Sequence, residues 1–165
     1  MLSALALAGC GEHSAAPAVQ DVRVADLQGL EQALAAKRGQ ALLVNFWATW
    51  CPPCVAELPD LVDTAREYEP RGLHVLGVSF DLMVPKITAD AGRELVSKHL
   101  ERRKLAFPSL VYDGPDYDAI NARFELPGFI PVTLAIDRSG NIVDREEGPC
   151  TRERFAELAR KALGI

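Results

Sequence analysis

Histidine and cysteine are scarce in this chain, with three of the one and four of the other among 165 residues. His13, His74 and His99 are scattered, and no second CxxC accompanies Cys51 and Cys54. A zinc site needs a second such pair or two histidines at ligand spacing, so no metal is expected. Four cysteines are also too few for the several bridges of a small disulfide scaffold. Long basic runs are lacking as well. The formal net charge is −5, and the densest cluster, Lys98 to Lys104, holds Arg102 and Arg103 but also Glu101. That pattern suits a solvated helix face and speaks against a nucleic-acid partner. No apolar run reaches the roughly 18 residues that span a bilayer. What remains is 48% hydrophobic and 25% charged residues, an ordinary mix for one packed domain.

Hydrophobic periodicity divides the chain. Residues 1–20 read as a short apolar stretch followed by a polar, small-residue tether, and residues 21–165 as the folded domain. Asp21 to Val24 alternates polar and apolar, which predicts a short strand. A brief helix is expected over about 29–37, ended by Gly39. The apolar runs 41–46 (ALLVNF) and 73–80 (LHVLGVSF) predict buried central strands. Between them, Val55, Leu58, Leu61, Val62 and Ala65 recur at helical spacing, with Pro59 expected to kink that helix rather than end it. Thr88 is a candidate cap for a helix over 89–103, with Leu95, Val96, His99 and Leu100 on one face. A short strand at 109–112 and a helix around 116–124 follow. Strands at 132–137 and 141–147, joined at Arg138-Ser139-Gly140, predict a hairpin, and Thr151 caps a last helix over 152–163. Early alternation of strand and helix predicts parallel pairing, and the late hairpin an antiparallel edge. The fold class is α/β, a mixed central sheet with helices on both faces.

Cys51 and Cys54 stand where strand 41–46 gives way to a helix. Free N–H groups and the helix dipole there favour a thiolate at Cys51. Pro52 and Pro53 suit first-turn positions, which need no N–H donor. Cys54, one turn on, can attack a mixed disulfide at Cys51. The pair therefore reads as nucleophile and resolving thiol, exchanging disulfides with a partner protein and needing no cofactor. Trp47 and Trp50 are placed beside the pair, either shaping a docking surface or packing the core. Cys150, between Pro149 and Thr151, reads as a spare buried thiol or a regulatory one.

The segment FWATWCPPC resembles the active site of the thioredoxin superfamily, and within it the membrane-anchored TlpA and ResA group. The likeness extends through ALLVNF, VAELPDL, LHVLGVSFD, FPSLVYDG and IPVTLAIDRSGNIV, over about 145 residues. It implies a thioredoxin-like fold of the redoxin type and thiol–disulfide oxidoreductase activity, more as a reductant than an oxidant. The family carries a cis-proline before a P-x-T-x-x-I-D strand. Pro131 to Asp137 fits, so the resemblance implies a cis Ile130–Pro131 bond, with the Ile130 backbone open to a partner peptide. Asn45 occupies the place of thioredoxin's strand aspartate, as is usual in this group, and leaves Glu57 as the carboxylate near the thiols. Glu57 could raise thiol pKa values and relay protons, or merely favour the helix dipole. Gly128-Phe129-Ile130-Pro131 is one residue longer than the Gly-x-Pro of relatives. Cytochrome c maturation is one role of such reductants; their specialised members often carry Pro-Glu-Thr where this chain has Pro131-Val132-Thr133.

Leu7-Ala8-Gly9-Cys10 resembles the lipobox of bacterial lipoproteins, in which the cysteine becomes the lipid-bearing first residue. No Lys or Arg precedes the apolar stretch, unlike an ordinary secretory signal. The resemblance implies export to the cell envelope or periplasm, a lipid anchor at Cys10, and a monomer recharged by a thiol-type donor at the membrane. Two rivals share the wider fold. A thiol peroxidase of the peroxiredoxin type would place Thr three residues before its cysteine, and none stands there. A metallochaperone would use CxxxC with a distal histidine, and both are missing.

Overall fold

The computed structural model describes residues 21–115 and 117–165. The lipobox, Cys10 and the tether lie outside the described residues. The elements run β1 (Val22–Ala25), α1 (Leu27–Ala35), β2 (Ala41–Trp47), α2 (Pro52–Tyr68), β3 (Leu73–Ser79), α3 (Ala89–Arg102), β4 (Ser109–Tyr112), α4 (Tyr117–Phe124), β5 (Val132–Ile136), β6 (Ile142–Glu147) and α5 (Arg152–Leu163). Short 3₁₀ turns occupy Glu69–Arg71 and Asp81–Met83.

The six strands form one mixed sheet in the order β1-β4-β3-β2-β5-β6. β1, β4, β3 and β2 pair in parallel, while β5 pairs antiparallel with both β2 and β6. The hairpin predicted from the sequence is β5–β6. Every β2 side chain is buried, as expected of a strand covered on both faces. Its alternation splits the core. Ala41, Leu43 and Trp47 face a cluster with Leu58 and Leu61 of α2, Leu100 of α3 and Phe155 of α5. Leu42, Val44 and Phe46 face the other cluster, with Leu30 of α1 and Ile120 and Phe124 of α4. Each fully buried Leu, Val, Ile or Phe among them contributes about 1.5–3 kcal/mol.

Thr88 and Thr151 cap α3 and α5, accepting the N–H groups of Ala91 and Arg154 at 3.3 Å each. α1 starts earlier than the expected 29, because Asp26 accepts the Gly29 N–H at 2.8 Å and so caps the helix ahead of Leu27. α2 continues through Pro59 to Tyr68.

Candidate active site

The apolar run of β2 ends at Trp47, and a tight turn follows in which the Cys51 N–H reaches the Ala48 carbonyl at 3.2 Å. Cys51 then caps α2: its Sγ accepts the Cys54 N–H at 3.4 Å, and Pro52 and Pro53 fill the first two helical positions. These prolines occupy places whose N–H groups would have no helical partner. The remaining free N–H groups and the helix dipole bear on Cys51 Sγ. Cys51 and Cys54 form a disulfide with an S–S distance of 2.03 Å. Cys51 is 5% exposed and Cys54 wholly buried, so an incoming thiolate or disulfide meets Cys51 first.

The Ile130–Pro131 peptide is cis, and the Ile130 carbonyl oxygen lies 4.0 Å from Cys51 Sγ. Both residues border a groove of about 350 Å³, lined by Trp50, Cys51, Pro52, Phe80, Met83, Tyr117, Asn121 and the Gly128–Ile130 loop. None of those side chains is charged. Trp50, Met83 and Phe129 stand at its rim, 47%, 46% and 53% exposed. Gly128 adopts φ +83°, which an L side chain rarely takes, and turns the chain into this loop.

The two tryptophans part company. Trp50 borders the groove, whereas Trp47 is wholly buried, its ring 5.8 Å from that of His99 and 6.2 Å from that of Phe107. Trp47 thus packs the core and offers no docking surface, the blander of its two expected roles. The reason is its place in β2, a strand covered on both faces; its parity with Ala41 and Leu43 decides only which of the two clusters it joins. Pro52 borders the groove, but Pro53 lies on the far side of the helix end, in an open crevice with Glu57 and Cys150. Phe80, Met83, Tyr117 and Asn121 were not singled out from the sequence; they come from segments far from the pair, and no local spacing marks them.

Glu57 sits one turn beyond Cys54, only 4% exposed. Asn45 Nδ2 donates to one of its oxygens at 2.9 Å and to Thr133 Oγ1 at 3.0 Å; the Cys150 N–H donates to the other oxygen at 2.7 Å. Burial raises the Glu57 pKa to about 7 despite the lowering pull of the Cys150 and Asn45 hydrogen bonds. Asn45, at the strand position noted from the sequence, therefore holds Glu57 directly. Cys150 is a buried free thiol, and burial, with Glu57 close by, pushes it up to about 12.

A family model described as Redoxin matches residues 12–161. Thiol-disulfide oxidoreductase ResA of Geobacillus thermodenitrificans is 34% identical over 133 residues, 81% of this chain and 69% of that protein. This chain belongs to the ResA-like group of the thioredoxin superfamily. The thioredoxin-like protein YneN of Bacillus subtilis is 30% identical over 149 residues, covering 90% of this chain and 79% of its own. Among solved structures, a thioredoxin-family thiol:disulfide interchange protein from Chlorobium tepidum superposes with a TM-score of 0.61. It is 28% identical and covers 79% of this chain and 84% of its own. Like its ResA relatives, this chain is a thiol–disulfide oxidoreductase, and Cys51 and Cys54 form its CxxC pair.

Proposed function

We propose that this ResA-like protein is an exported reductant of protein disulfides, working through Cys51 and Cys54 with Glu57 as proton relay. The observation that carries the reading is the seating of Cys51. Its sulfur is the accessible one of the pair, stands at the N-terminus of α2, and borders a groove whose described lining carries no charged side chain and includes Ile130.

In the first step the Cys51 thiolate attacks one sulfur of the partner's disulfide. A mixed disulfide forms and the partner's other sulfur leaves as a thiolate. In the second step Cys54, its proton taken by Glu57, attacks Cys51 Sγ. The second partner thiol is released, two electrons have passed to the partner, and the Cys51–Cys54 disulfide remains. A Glu57 pKa of about 7 suits a group that must accept and return a proton near neutrality. A thiol-type donor at the membrane would then reduce the pair again.

The protein would act from residues 21–165 as a monomer, held to the envelope by a lipid on Cys10. This follows the lipobox-like Leu7-Ala8-Gly9-Cys10 and the company of ResA relatives. Cytochrome c maturation is the narrower assignment, with apocytochrome disulfides, reduced to thiols, as the partner class.

A Cys54→Ser variant expressed in the native host should hold its partners as mixed disulfides on Cys51, identified by mass spectrometry after non-reducing separation. Capture of cytochrome precursors would support the narrow role and capture of other proteins a broader one. Failure of Cys51 to capture any protein would sink the reading. Cys10→Ser should move the protein from the membrane to the soluble fraction.

A further inference from the structure

Besides Glu57, the chain buries a second carboxylate near the active-site turn, one with no part in the exchange steps above. Asp81 is wholly buried at the start of the 3₁₀ turn that follows β3. Its carboxylate accepts the Thr49 N–H at 3.1 and 3.3 Å, the Thr49 hydroxyl in a short contact, and the Ser79 hydroxyl at 2.5 Å. The Asp81 N–H in turn reaches Ser79 Oγ at 3.2 Å. A carboxylate taken out of water needs donors of this number. The donors fix its place, and it fixes theirs.

Thr49 is the second residue of the turn Ala48–Cys51, directly before Trp50, which borders the groove. Phe80 and Met83, on either side of Asp81 in the chain, also line the groove. The Phe80 N–H is bound to the Trp47 carbonyl at 2.8 Å. Asp81 therefore stands where two of the segments that line the groove are joined. We infer that Asp81 is a positioning residue: through Thr49 it holds Trp50 and Cys51 to the Phe80–Met83 segment, so that a docked partner meets Cys51 in register. It touches neither sulfur in this arrangement and acts on docking rather than on exchange itself.

The inference rests on the oxidoreductase reading, and its test separates the two. Reduced wild type, Asp81→Asn and Thr49→Val are compared on dithiobis(nitrobenzoate), which needs no groove, and on a synthetic peptide whose disulfide is flanked by phenylalanine. Both variants should keep the aryl-disulfide rate and the peptide kcat within about twofold while the peptide KM rises about tenfold. Amide exchange at Thr49, Trp50 and Cys51 should quicken about tenfold, with β2 and β3 unchanged. An unchanged KM with unchanged turn exchange overturns the inference. So does a loss shared by both disulfides, with faster exchange across β2 and β3, since that is the mark of a merely structural residue. Should Asp81→Asn fail to fold, Thr49→Val decides alone. If wild type reduces neither disulfide, the proposed direction of exchange falls, while the exchange data still judge Asp81.

Discussion

Glu57 brings a carboxylate into the core beside the thiols, and its ionisation is a cost that folding imposes. Two hydrogen bonds favour the charged form, yet burial outweighs them and raises the pKa from 4.5 to about 7. The folded state then holds a proton that the unfolded chain has released, so Glu57 makes the fold less stable as pH rises from about 4.5 to 7. At about 1.4 kcal/mol per unit the full loss is about 3 kcal/mol. His74 and His99, lowered chiefly by burial, act in the opposite sense over part of this range. The informative quantity is therefore the stability of Glu57→Gln minus that of wild type. Measured by urea denaturation of the oxidised proteins, it should climb steadily between pH 4.5 and 7; a flat difference would refute the raised pKa. Cys150 obeys the same physics. With its thiol near 12, its thiolate fraction at pH 8 is about one in ten thousand. In a folded Cys51→Ser/Cys54→Ser protein, iodoacetamide should leave Cys150 unmodified, and urea should expose it to rapid alkylation, both read by peptide mass mapping. Rapid labelling of the folded form would argue for a reactive thiol.

Elements carry the next constraint, because the site is assembled at the ends of β2, β3 and β5. Gly77 of β3 lies in register with Asn45 of β2. A Cβ there would stand 2.6 Å from Ser109 Oγ, 2.7 Å from Phe107 Cε2 and 2.9 Å from Trp47 Nε1. Gly77→Ala should therefore overpack this face and cost about 1–3 kcal/mol, seen as a lower urea midpoint at unchanged m. An unchanged midpoint would mean that the Trp47–Phe107 layer yields more readily than its distances suggest. The central strands β2 and β3 were legible, since apolar runs buried on both faces need no partner to be recognised, and Thr88 and Thr151 announced their helices. The cysteine pair was equally plain. Trp47 could have been assigned to the core as the last residue of an apolar strand buried on both faces. The contacts that organise the site were not readable: Glu57 meets the Cys150 N–H across 93 residues, and Thr49 meets Asp81 across 32. Such pairs depend on which strands become neighbours, and periodicity along one segment carries no such information.

At the scale of the whole molecule, the end of α2 separates two environments. On one side lies the groove that reaches Cys51, with no charged side chain among the described residues of its lining. On the other lies an open crevice where Glu57, Asp60, Arg152 and Glu153 gather beside Cys150. A partner seated in the groove leaves the crevice facing water, so docking and proton exchange need not compete for one opening. The division has a consequence for salt. The net charge of −5 sets a field that approaching partners feel, but at 0.1 M salt it is screened beyond about 10 Å. Once in the groove, a segment meets apolar and amide surface, whose contribution depends little on ionic strength. For an uncharged peptide disulfide, KM should therefore change by less than about twofold between 50 and 500 mM sodium chloride. A lysine-rich version should associate faster at low salt and lose that advantage as salt rises, with kcat unaffected. Steady-state assays of the reduced protein on the two peptides separate these effects. A steep salt dependence for the uncharged peptide would mean that charged groups outside the groove take part in docking, and that the partner's footprint extends across the helix end to the crevice.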